Sequence, residues 1–331
     1  MATDSQQESY PHTGAPRRRV LAAAALTPML AGAAAPARAL STRTGEGKSS
    51  RVVEPVRTAV SDWEEVARVL GRKGDMKRNL MYHTALPRHD LRVRSHRVAV
   101  KPALALGSHV SFVRYADKST LLMGDVVVTE TEMQPFIDAL HKHKIGLTAI
   151  HKHLLSQTPN IWWIHVHGHG HHPVSLARGL RAAFDRTDTP PPRPSRQQAL
   201  DLDTAGIDAG LGAKGSIDDG IYKSVFVRRE TIIDGHLVLP AGLGSTSALN
   251  FQPLGDGRAA VSGDCAMIAS EVQDVLAALR CAGADLVELH NHGLTDEPRL
   301  FFVHFWAVGD GAGLARALRP AVQATNVVPV G

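Results

Sequence analysis

The sequence predicts an α+β protein built from two tandem copies of one unit, each with an antiparallel sheet. Sliding the chain by 139 residues aligns 125–167 with 264–306 without a gap, and 11 of these 43 positions are identical. The flanking segments "LGRKG" and "LGAKG", and "LARGLR" and "LARALR", also correspond. We therefore predict repeats over 62–185 and 206–331. The identical pairs are Asp125/Asp264, Glu132/Glu271, Gln134/Gln273, Ala139/Ala278, Leu140/Leu279, Leu147/Leu286, His151/His290, His153/His292, Leu155/Leu294, Pro159/Pro298 and His165/His304.

Hydrophobic periodicity predicts the order β-α-β-β-α within each copy. In the first copy the apolar run "STLLMGDVVVT" predicts a strand, and "EMQPFIDALHKHK" has the spacing of an amphipathic helix. The segments "LTAIHKH" and "IWWIHVH" predict two strands, and "PVSLARGLRAAFDRT" predicts a closing helix. This order is that of a ferredoxin-like half, and "HRVAVKP" and "SHVSFVRYA" predict additional strands before it.

The arrangement of the two copies has two alternatives. The strand faces that carry histidines also carry Trp163, Phe302 and Trp306, which are too large and apolar to be left in water. The two sheets can therefore close over a shared cavity as an intramolecular α+β barrel. Side-by-side domains are the alternative.

The N-terminal sequence predicts an export signal over 1–39. The segment "PRRRVLAAAALTPMLAGAAAPARA" places three arginines before an apolar run that ends in Ala37-Arg38-Ala39, which favours twin-arginine export with cleavage before Leu40. The apolar run is too short and too rich in alanine and glycine for a stable membrane span. We expect a secreted, extracytoplasmic protein with a linker over 40–61 and a proline-rich linker over 186–205.

The charge of the chain excludes one class of partner. The formal net charge is +5, and removal of residues 1–39 takes away four basic and two acidic residues, which leaves +3. This charge is too small to indicate nucleic-acid binding, and the sequence contains no nucleic-acid-binding motif. Cys265 and Cys281 are compatible with a disulfide in an exported protein, but two buried thiols are the preferred interpretation.

Four histidines of the first copy lie at the two ends of one predicted hairpin. Because side chains alternate along a strand, His151 and His153 share a face, as do His165 and His167. A hairpin centred on Pro159 would place His151 opposite His167 and His153 opposite His165. Cross-strand Cβ atoms lie about 4.5–5.5 Å apart, so at least three of these imidazoles can converge on one ion.

The second copy repeats this pattern with three histidines. His290 and His292 correspond to the first pair, His304 to His165, and Trp306 replaces the fourth histidine. Two histidines on one strand and a third on its neighbour form, by analogy, a zinc site with an open fourth position. Only this copy has carboxylates nearby, so Glu288 and Asp296 are the predicted catalytic bases.

Imidazole ligands suit zinc, copper or nickel, and zinc is the metal we expect. A metal-free, hydrogen-bonded histidine cluster is the alternative. Asp125 and Asp264 are candidates either for orienting the imidazoles or for capping and turn roles. The loop histidines His169, His171 and His172 are expected to be solvated.

The segments "MGDVVVTETE", "TAIHKHLL" and "IHVHG", and their partners "SGDCAMIASE", "VELHNHGL" and "EPRLFFVHFW", resemble the LppY/LpqO family of actinobacterial envelope lipoproteins, also called domain of unknown function 1259. The resemblance covers most of the chain after residue 60. It implies an extracytoplasmic protein with two tandem copies and carries no settled activity. This chain lacks the lipid-attachment cysteine and has Gln157 where the pattern carries an acidic residue.

Three function classes follow from these features. The preferred prediction is a secreted protein that binds a divalent transition metal through strand histidines. Two functions are open for it, a metal-dependent enzyme such as a hydrolase or lyase and a non-catalytic metal-binding or sensing module. The third class is a metal-free envelope protein or small-molecule binder. The identity of a small-molecule substrate or ligand, and the oligomeric state, are not encoded in any motif that we find.

Overall fold

The structure is a computed structural model that describes residues 51–193 and 199–330. The first repeat begins with a short 3-10 helix, Val60–Trp63, and continues through four helices and nine strands. The helices are α1 (Glu64–Leu70), α2 (Pro102–Ala105), α3 (Glu130–Lys142) and α4 (Pro173–Phe184). The strands are β1 (Asp75–Lys77), β2 (Met81–Pro87), β3 (Arg94–Ser95), β4 (Val98–Ala99), β5 (Gly107–Arg114), β6 (Thr120–Thr129), β7 (Gly146–His151), β8 (Gln157–Thr158) and β9 (Ile161–Gly170).

The second repeat follows the same order of strands, has no counterpart of the 3-10 helix or of α2 in the described ranges, and adds a C-terminal strand. Its helices are α5 (Thr204–Leu211), α6 (Val272–Cys281) and α7 (Gly311–Gln323). Its strands are β10 (Ser216–Asp218), β11 (Ile221–Arg228), β12 (Ile233–Asp234), β13 (Leu237–Val238), β14 (Thr246–Gly255), β15 (Arg258–Ile268), β16 (Asp285–His290), β17 (Asp296–Glu297), β18 (Leu300–Asp310) and β19 (Val327–Pro329).

Each repeat contains one large antiparallel sheet. The strand order is β1-β2-β5-β6-β9-β7 in the first repeat and β10-β11-β14-β15-β18-β16 in the second, where β19 also pairs with β11. Two three-stranded sheets, β4-β3-β8 and β13-β12-β17, lie outside this path. The prediction of an α+β protein with two repeats and antiparallel sheets is confirmed. The ferredoxin-like topology remains a prediction, because each sheet contains more strands than such a half.

Helices cover one face of each large sheet. In the first repeat, Val126, Ile164 and Val166 pack with Phe136 of α3 and Leu180 of α4 in one buried cluster. In the second repeat, Val261, Val303 and Phe305 pack with residues of α6 and α7 in a corresponding cluster. The alternating residues of β6, β9, β15 and β18 therefore point away from the helices, toward the other repeat.

The opposite sheet faces pack against the other repeat. One buried cluster joins Met81 and Leu121 of the first repeat to Leu237 and Phe302 of the second. Another contains both Trp163 and Trp306. The large aromatics are thus buried where the repeats meet, as expected. The closed barrel is not found, since strand pairing within the described ranges keeps the two large sheets separate.

The predicted hairpin register is wrong in both repeats. His151 lies opposite Trp163, where the prediction placed it opposite His167, and His290 lies opposite Phe302. The physical reason lies in the connecting segment: β8 leaves the large sheet and pairs with β3, and β17 likewise pairs with β12. The connection is therefore not a regular hairpin centred on Pro159 or Pro298. His151 and His290 each lie opposite a residue four positions earlier in the partner strand than predicted.

Several predictions concern residues outside the described ranges. The export signal over 1–39, part of the 40–61 linker and residues 194–198 of the proline-rich linker fall there. None of the helices in the described ranges is both long enough and apolar enough for a membrane crossing. Cys265 is buried and Cys281 exposed, and both are free thiols. The expectation of two buried thiols is therefore correct only for Cys265.

Candidate metal centre

Six histidines, three from each repeat, converge where the two sheets face each other. Their placement follows from strand alternation in β9 and β18 and from the two segments that end β7 and β16. The cluster comprises His151, His153, His165, His290, His292 and His304. We call this set the histidine cluster.

The closest ring contacts in the histidine cluster join the two repeats. The ring centroids of His153 and His304 lie 3.9 Å apart, and those of the corresponding pair, His292 and His165, lie 4.1 Å apart. His151 stacks on its own counterpart, His290, at 4.1 Å. The sequence predicted a separate site within each copy, whereas the structure pairs each β9 or β18 histidine with a histidine of the other repeat.

Two groups of three histidines place their ligand atoms within 4.8 Å of one another. One group is His151, His153 and His304, and the other is His151, His165 and His290. Within the first, the Nε2 atoms of His151 and His153 are 2.9 Å apart. Within the second, the Nε2 atoms of His165 and His290 are 3.4 Å apart. Either group therefore offers three imidazole nitrogens at the separations that one ion requires.

Two backbone contacts between the repeats fix the histidine segments. The Glu288 carboxylate accepts the Lys152 backbone N–H at 2.7 Å, between His151 and His153. In the opposite direction, the Thr148 hydroxyl donates to the His292 carbonyl at 2.5 Å. Each repeat thus holds the histidine-bearing segment of the other.

Asp125 is the carboxylate nearest to the cluster. It lies opposite His165 in the β6–β9 pair, and its Oδ2 is 3.1 Å from His153 Nε2. Its Oδ1 is 3.8 Å from His165 Nδ1. Burial disfavours its charged form, but the neighbouring imidazoles of His165 and His153 outweigh burial, so the pKa of Asp125 is lowered. Asp125 is therefore ionised and lies beside one imidazole of β9 and one of the segment that follows β7.

Asp264, the counterpart of Asp125, has different surroundings. It lies opposite His304 in the β15–β18 pair, and its Oδ1 accepts the Ala248 backbone N–H at 3.0 Å. Burial raises the pKa of Asp264 to about 7, against the lowering effect of that hydrogen bond. The pKa values differ because the imidazoles of His165 and His153 lower the pKa of Asp125, whereas backbone hydrogen bonds alone lower that of Asp264.

Burial lowers the pKa of five cluster histidines and so favours their neutral form: His151, His165, His290, His292 and His304. Burial, followed by the neighbouring histidines, lowers the pKa of His151, His292 and His304 well below the usual value. The same causes lower the pKa of His290 to about 3. Neutral imidazole is the form that binds metals. The Nδ1 atoms of His151 and His290 and the Nε2 atom of His304 are buried without a hydrogen-bond partner among the described residues.

A large cavity opens onto the cluster. Its volume is about 1310 Å³, and both repeats line it. His153, His165, His292 and His304 lie on its wall together with Asp125 and Asp264. Such a volume accommodates a small-molecule ligand as well as an ion.

His167 lies outside the histidine cluster, although it was a predicted ligand. Because of the shifted register, it contacts the second repeat at another point, where its Nε2 is 2.7 Å from Asp234 Oδ2. The other oxygen of Asp234 accepts the Thr295 hydroxyl at 2.6 Å. His167 therefore forms a polar contact between the repeats.

The two predicted catalytic carboxylates are not on the cavity wall. Glu288 is engaged by the Lys152 backbone, as described above. Asp296 lies buried in β17, where its Oδ2 accepts the Leu300 N–H at 2.8 Å and its Oδ1 is 3.4 Å from Arg299. Both carboxylates therefore hold backbone segments in place.

Sequence reasoning missed several residues near the cavity. His83 and His109 lie on its wall with ring centroids 5.6 Å apart, and alternation along β5 opposite Asp125 was the available signal for His109.

Arg88 binds Glu132, and Arg228 binds Glu271, at corresponding places in the two repeats. The identity of Glu132 and Glu271 in the duplication was the signal for these buried ion pairs.

A family model described as Domain of Unknown Function (DUF1259) matches residues 64–186 and 205–324. The chain belongs to this family. The two matched segments of the DUF1259 chain coincide with the two repeats seen in the structure, so the resemblance and the tandem duplication are both confirmed. No curated protein matches the chain.

Three solved structures were compared with this DUF1259 chain. The trimeric bacterial microcompartment shell protein PduB is 10% identical, with 74% of this chain and 86% of that one covered and a TM-score of 0.17. EtuB from Clostridium kluyveri is 12% identical, with 76% and 92% covered and a TM-score of 0.18. EutL from Clostridium perfringens is 14% identical, with 76% and 93% covered and a TM-score of 0.17. At these TM-scores the likeness carries no argument about fold or function.

Proposed function

We propose that the histidine cluster binds a divalent transition metal, with zinc as the expected ion, and that the chain is a metal-dependent enzyme of the hydrolase or lyase class. The observation that carries this proposal is the group formed by His151, His153 and His304. Its three imidazoles come from two repeats, face one point, and include two that line the cavity.

The donor set fits such an ion. Three imidazole ligands form a common zinc environment that leaves a coordination position open. The unpartnered Nε2 of His304 lies in this group, and a buried polar atom without a partner is otherwise costly. An ion in this position supplies activation of water or polarisation of a substrate oxygen.

The protein residues provide orientation and a site for substrate. Asp125 places its Oδ2 3.1 Å from His153 Nε2 and so puts a carboxylate directly beside the ligand group. Asp264 lies on the cavity wall and is the carboxyl group that we assign to proton transfer with substrate. Glu288 keeps the Lys152 backbone in place, and we assign it no contact with substrate.

The cavity favours the enzyme over the non-catalytic alternative. A binding or sensing module was expected to close the coordination sphere with four histidines of the first repeat. His167 instead contacts Asp234, and the cavity of about 1310 Å³ leaves room for a substrate beside the cluster.

Location outside the cytoplasm is part of this proposal and is based on the sequence of residues 17–39. Cleavage before Leu40 is expected, and the mass of the mature chain recovered after export tests it. A chain that retains residues 1–39 and stays inside the cell would contradict this part of the proposal.

Metal content tests the binding step. The full chain, loaded with zinc and freed of excess ion, is expected to retain metal by mass spectrometry, and His304→Ala is expected to retain less. Absence of bound metal after reconstitution would overturn the proposal.

A panel of ester, amide and phosphoester substrates tests turnover. Metal binding without turnover of any substrate would favour the non-catalytic alternative.

A further inference from the structure

We propose that the histidine cluster holds two metal ions, one in each of two corresponding sites that both repeats build together. This inference rests on the proposed function and extends it from one ion to a dinuclear centre. Site A consists of His151, His153 and His304. Site B consists of His290, His292 and His165.

The duplication maps one site onto the other. Residues 139 positions apart correspond in the two repeats, so His151 matches His290, His153 matches His292 and His165 matches His304. Site A takes two histidines from the first repeat and one from the second. Applying the correspondence to each member gives site B, with two histidines from the second repeat and one from the first.

The distances within site B fit an ion. The ring centroids are 4.1 Å apart for His165 and His292, 5.5 Å for His165 and His290, and 5.3 Å for His290 and His292. With a Zn–N bond of about 2.0–2.1 Å, a ring centroid lies about 3.2 Å from the ion, so two rings on one ion lie at most about 6.4 Å apart. All three pairs meet this limit.

The two compact groups of ligand atoms share His151, so they hold two ions only if another histidine replaces His151 in the second group. Both groups contain His151, because its ring stacks on His165 at 4.4 Å as well as on His290. One imidazole nitrogen binds one ion. If His151 binds in site A, then His165 and His290 remain as a pair, and His292 on the cavity wall is the third donor beside them.

Asp125 connects the two sites. Its Oδ2 lies 3.1 Å from His153 of site A, and its Oδ1 lies 3.8 Å from His165 of site B. Its Oδ1 is buried without a hydrogen-bond partner among the described residues. The carboxylate thus contributes negative charge beside both ions, which offsets part of the repulsion between two adjacent cations.

Metal counting on the full chain tests this inference. Cobalt(II) or zinc is titrated into the wild type, His153→Ala, His292→Ala and the exposed-site control His169→Ala, and bound metal is measured after removal of excess ion. We expect two ions in the wild type and the control, and one in each cluster variant. His165→Ala replaces His292→Ala if the latter does not fold.

A magnetic measurement provides a second readout. Copper(II)-loaded wild type is expected to show spin coupling between adjacent ions by electron paramagnetic resonance, and each cluster variant is expected to show one uncoupled ion. A single ion in the wild type, or two ions retained in both His292→Ala and His165→Ala, would overturn the dinuclear centre and leave the proposed function standing. No bound metal in the wild type would overturn both.

Discussion

His153 of the first repeat and His304 of the second lie with their ring centroids 3.9 Å apart, closer than His153 lies to His151 of its own repeat. The candidate metal centre is therefore built by the paired repeats and by neither repeat alone. Two hydrogen bonds between the repeats stabilise this pairing. Glu288 of the second repeat accepts from the Lys152 backbone of the first, and Thr148 of the first repeat donates to the His292 carbonyl of the second.

The contact of His153 with His304 predicts energetic coupling in metal binding. His153→Ala and His304→Ala each remove a ligand of the same ion, so the double variant is expected to lose much less affinity than the sum of the two single losses. Chelator competition measures these affinities. The pair His153→Ala and His169→Ala is the control, and its losses are expected to add within about 0.5 kcal/mol. Additive losses for His153 and His304 would contradict a shared ion.

His165 and His167 are expected to behave differently, although both are on β9. His165→Ala removes a ligand of site B and is expected to lower the affinity of that site by more than about 100-fold, beyond the ~10–100-fold typical of changes to groups that only orient ligands. His167→Ala removes only the contact with Asp234 and is expected to leave metal affinity unchanged. Isothermal titration with zinc measures both. Equal losses in the two variants would mean that the hairpin register differs from the one described.

Glu288 is expected to act through the backbone of Lys152. Glu288→Gln keeps an oxygen acceptor for the Lys152 N–H, so metal affinity and any metal-dependent turnover are expected to change by less than about threefold. Glu288→Ala releases the segment between His151 and His153 and is expected to lower affinity about 10-fold, as for other groups that orient ligands. Abolished turnover in Glu288→Gln with full metal content would instead support the catalytic role predicted from sequence.

The ion pair between Glu230 and Arg228 predicts that the free energy of unfolding depends on pH in the acid range. Its hydrogen bonds with Arg228 lower the pKa of Glu230 to about 2, from a model-peptide value of 4.5. Since the folded-state pKa is depressed, the stabilisation is present above pH 4.5 and is lost as pH falls through about 2. Glu230→Gln is expected to lower the free energy of unfolding at pH 6 by about 1–3 kcal/mol.

Urea unfolding of Glu230→Gln and wild type between pH 6 and pH 2 measures this effect. The difference between the two proteins is expected to shrink as the pH falls. The exposed pair of Glu65 and Arg68 provides a control, because Glu65→Gln is expected to change stability little at any pH. A difference for Glu230→Gln that stays constant down to pH 2 would show that its effect is not electrostatic.

Most of the fold could be predicted because the internal duplication and the periodic spacing of apolar residues can both be read directly along the sequence. Ile164 and Val166 alternate with His165 along one strand, and this pattern alone places the histidine face away from the helices. The shared face of the two sheets followed from Trp163 and Trp306, which had to be buried.

The sequence did not predict which histidines meet, because that depends on register and on contacts between the repeats. A regular hairpin centred on Pro159 was assumed, and the pairing of β8 with β3 moved the register by four residues. His167 lies outside the histidine cluster for this reason. The contact of His153 with His304 spans two repeats, and no spacing within either copy encodes it. Asp296 was proposed from nearness in sequence, whereas its carboxylate holds the Leu300 backbone.

The X-ray absorption spectrum of the zinc-loaded full chain tests the central claim most directly. Ligation by the histidine cluster predicts nitrogen neighbours at about 2.0–2.1 Å with the multiple scattering of imidazole rings. The imidazole contribution is expected to fall in His304→Ala and to stay unchanged in His167→Ala. Zinc surrounded only by oxygen, or a spectrum that is insensitive to His304→Ala, would contradict a metal centre built from both repeats.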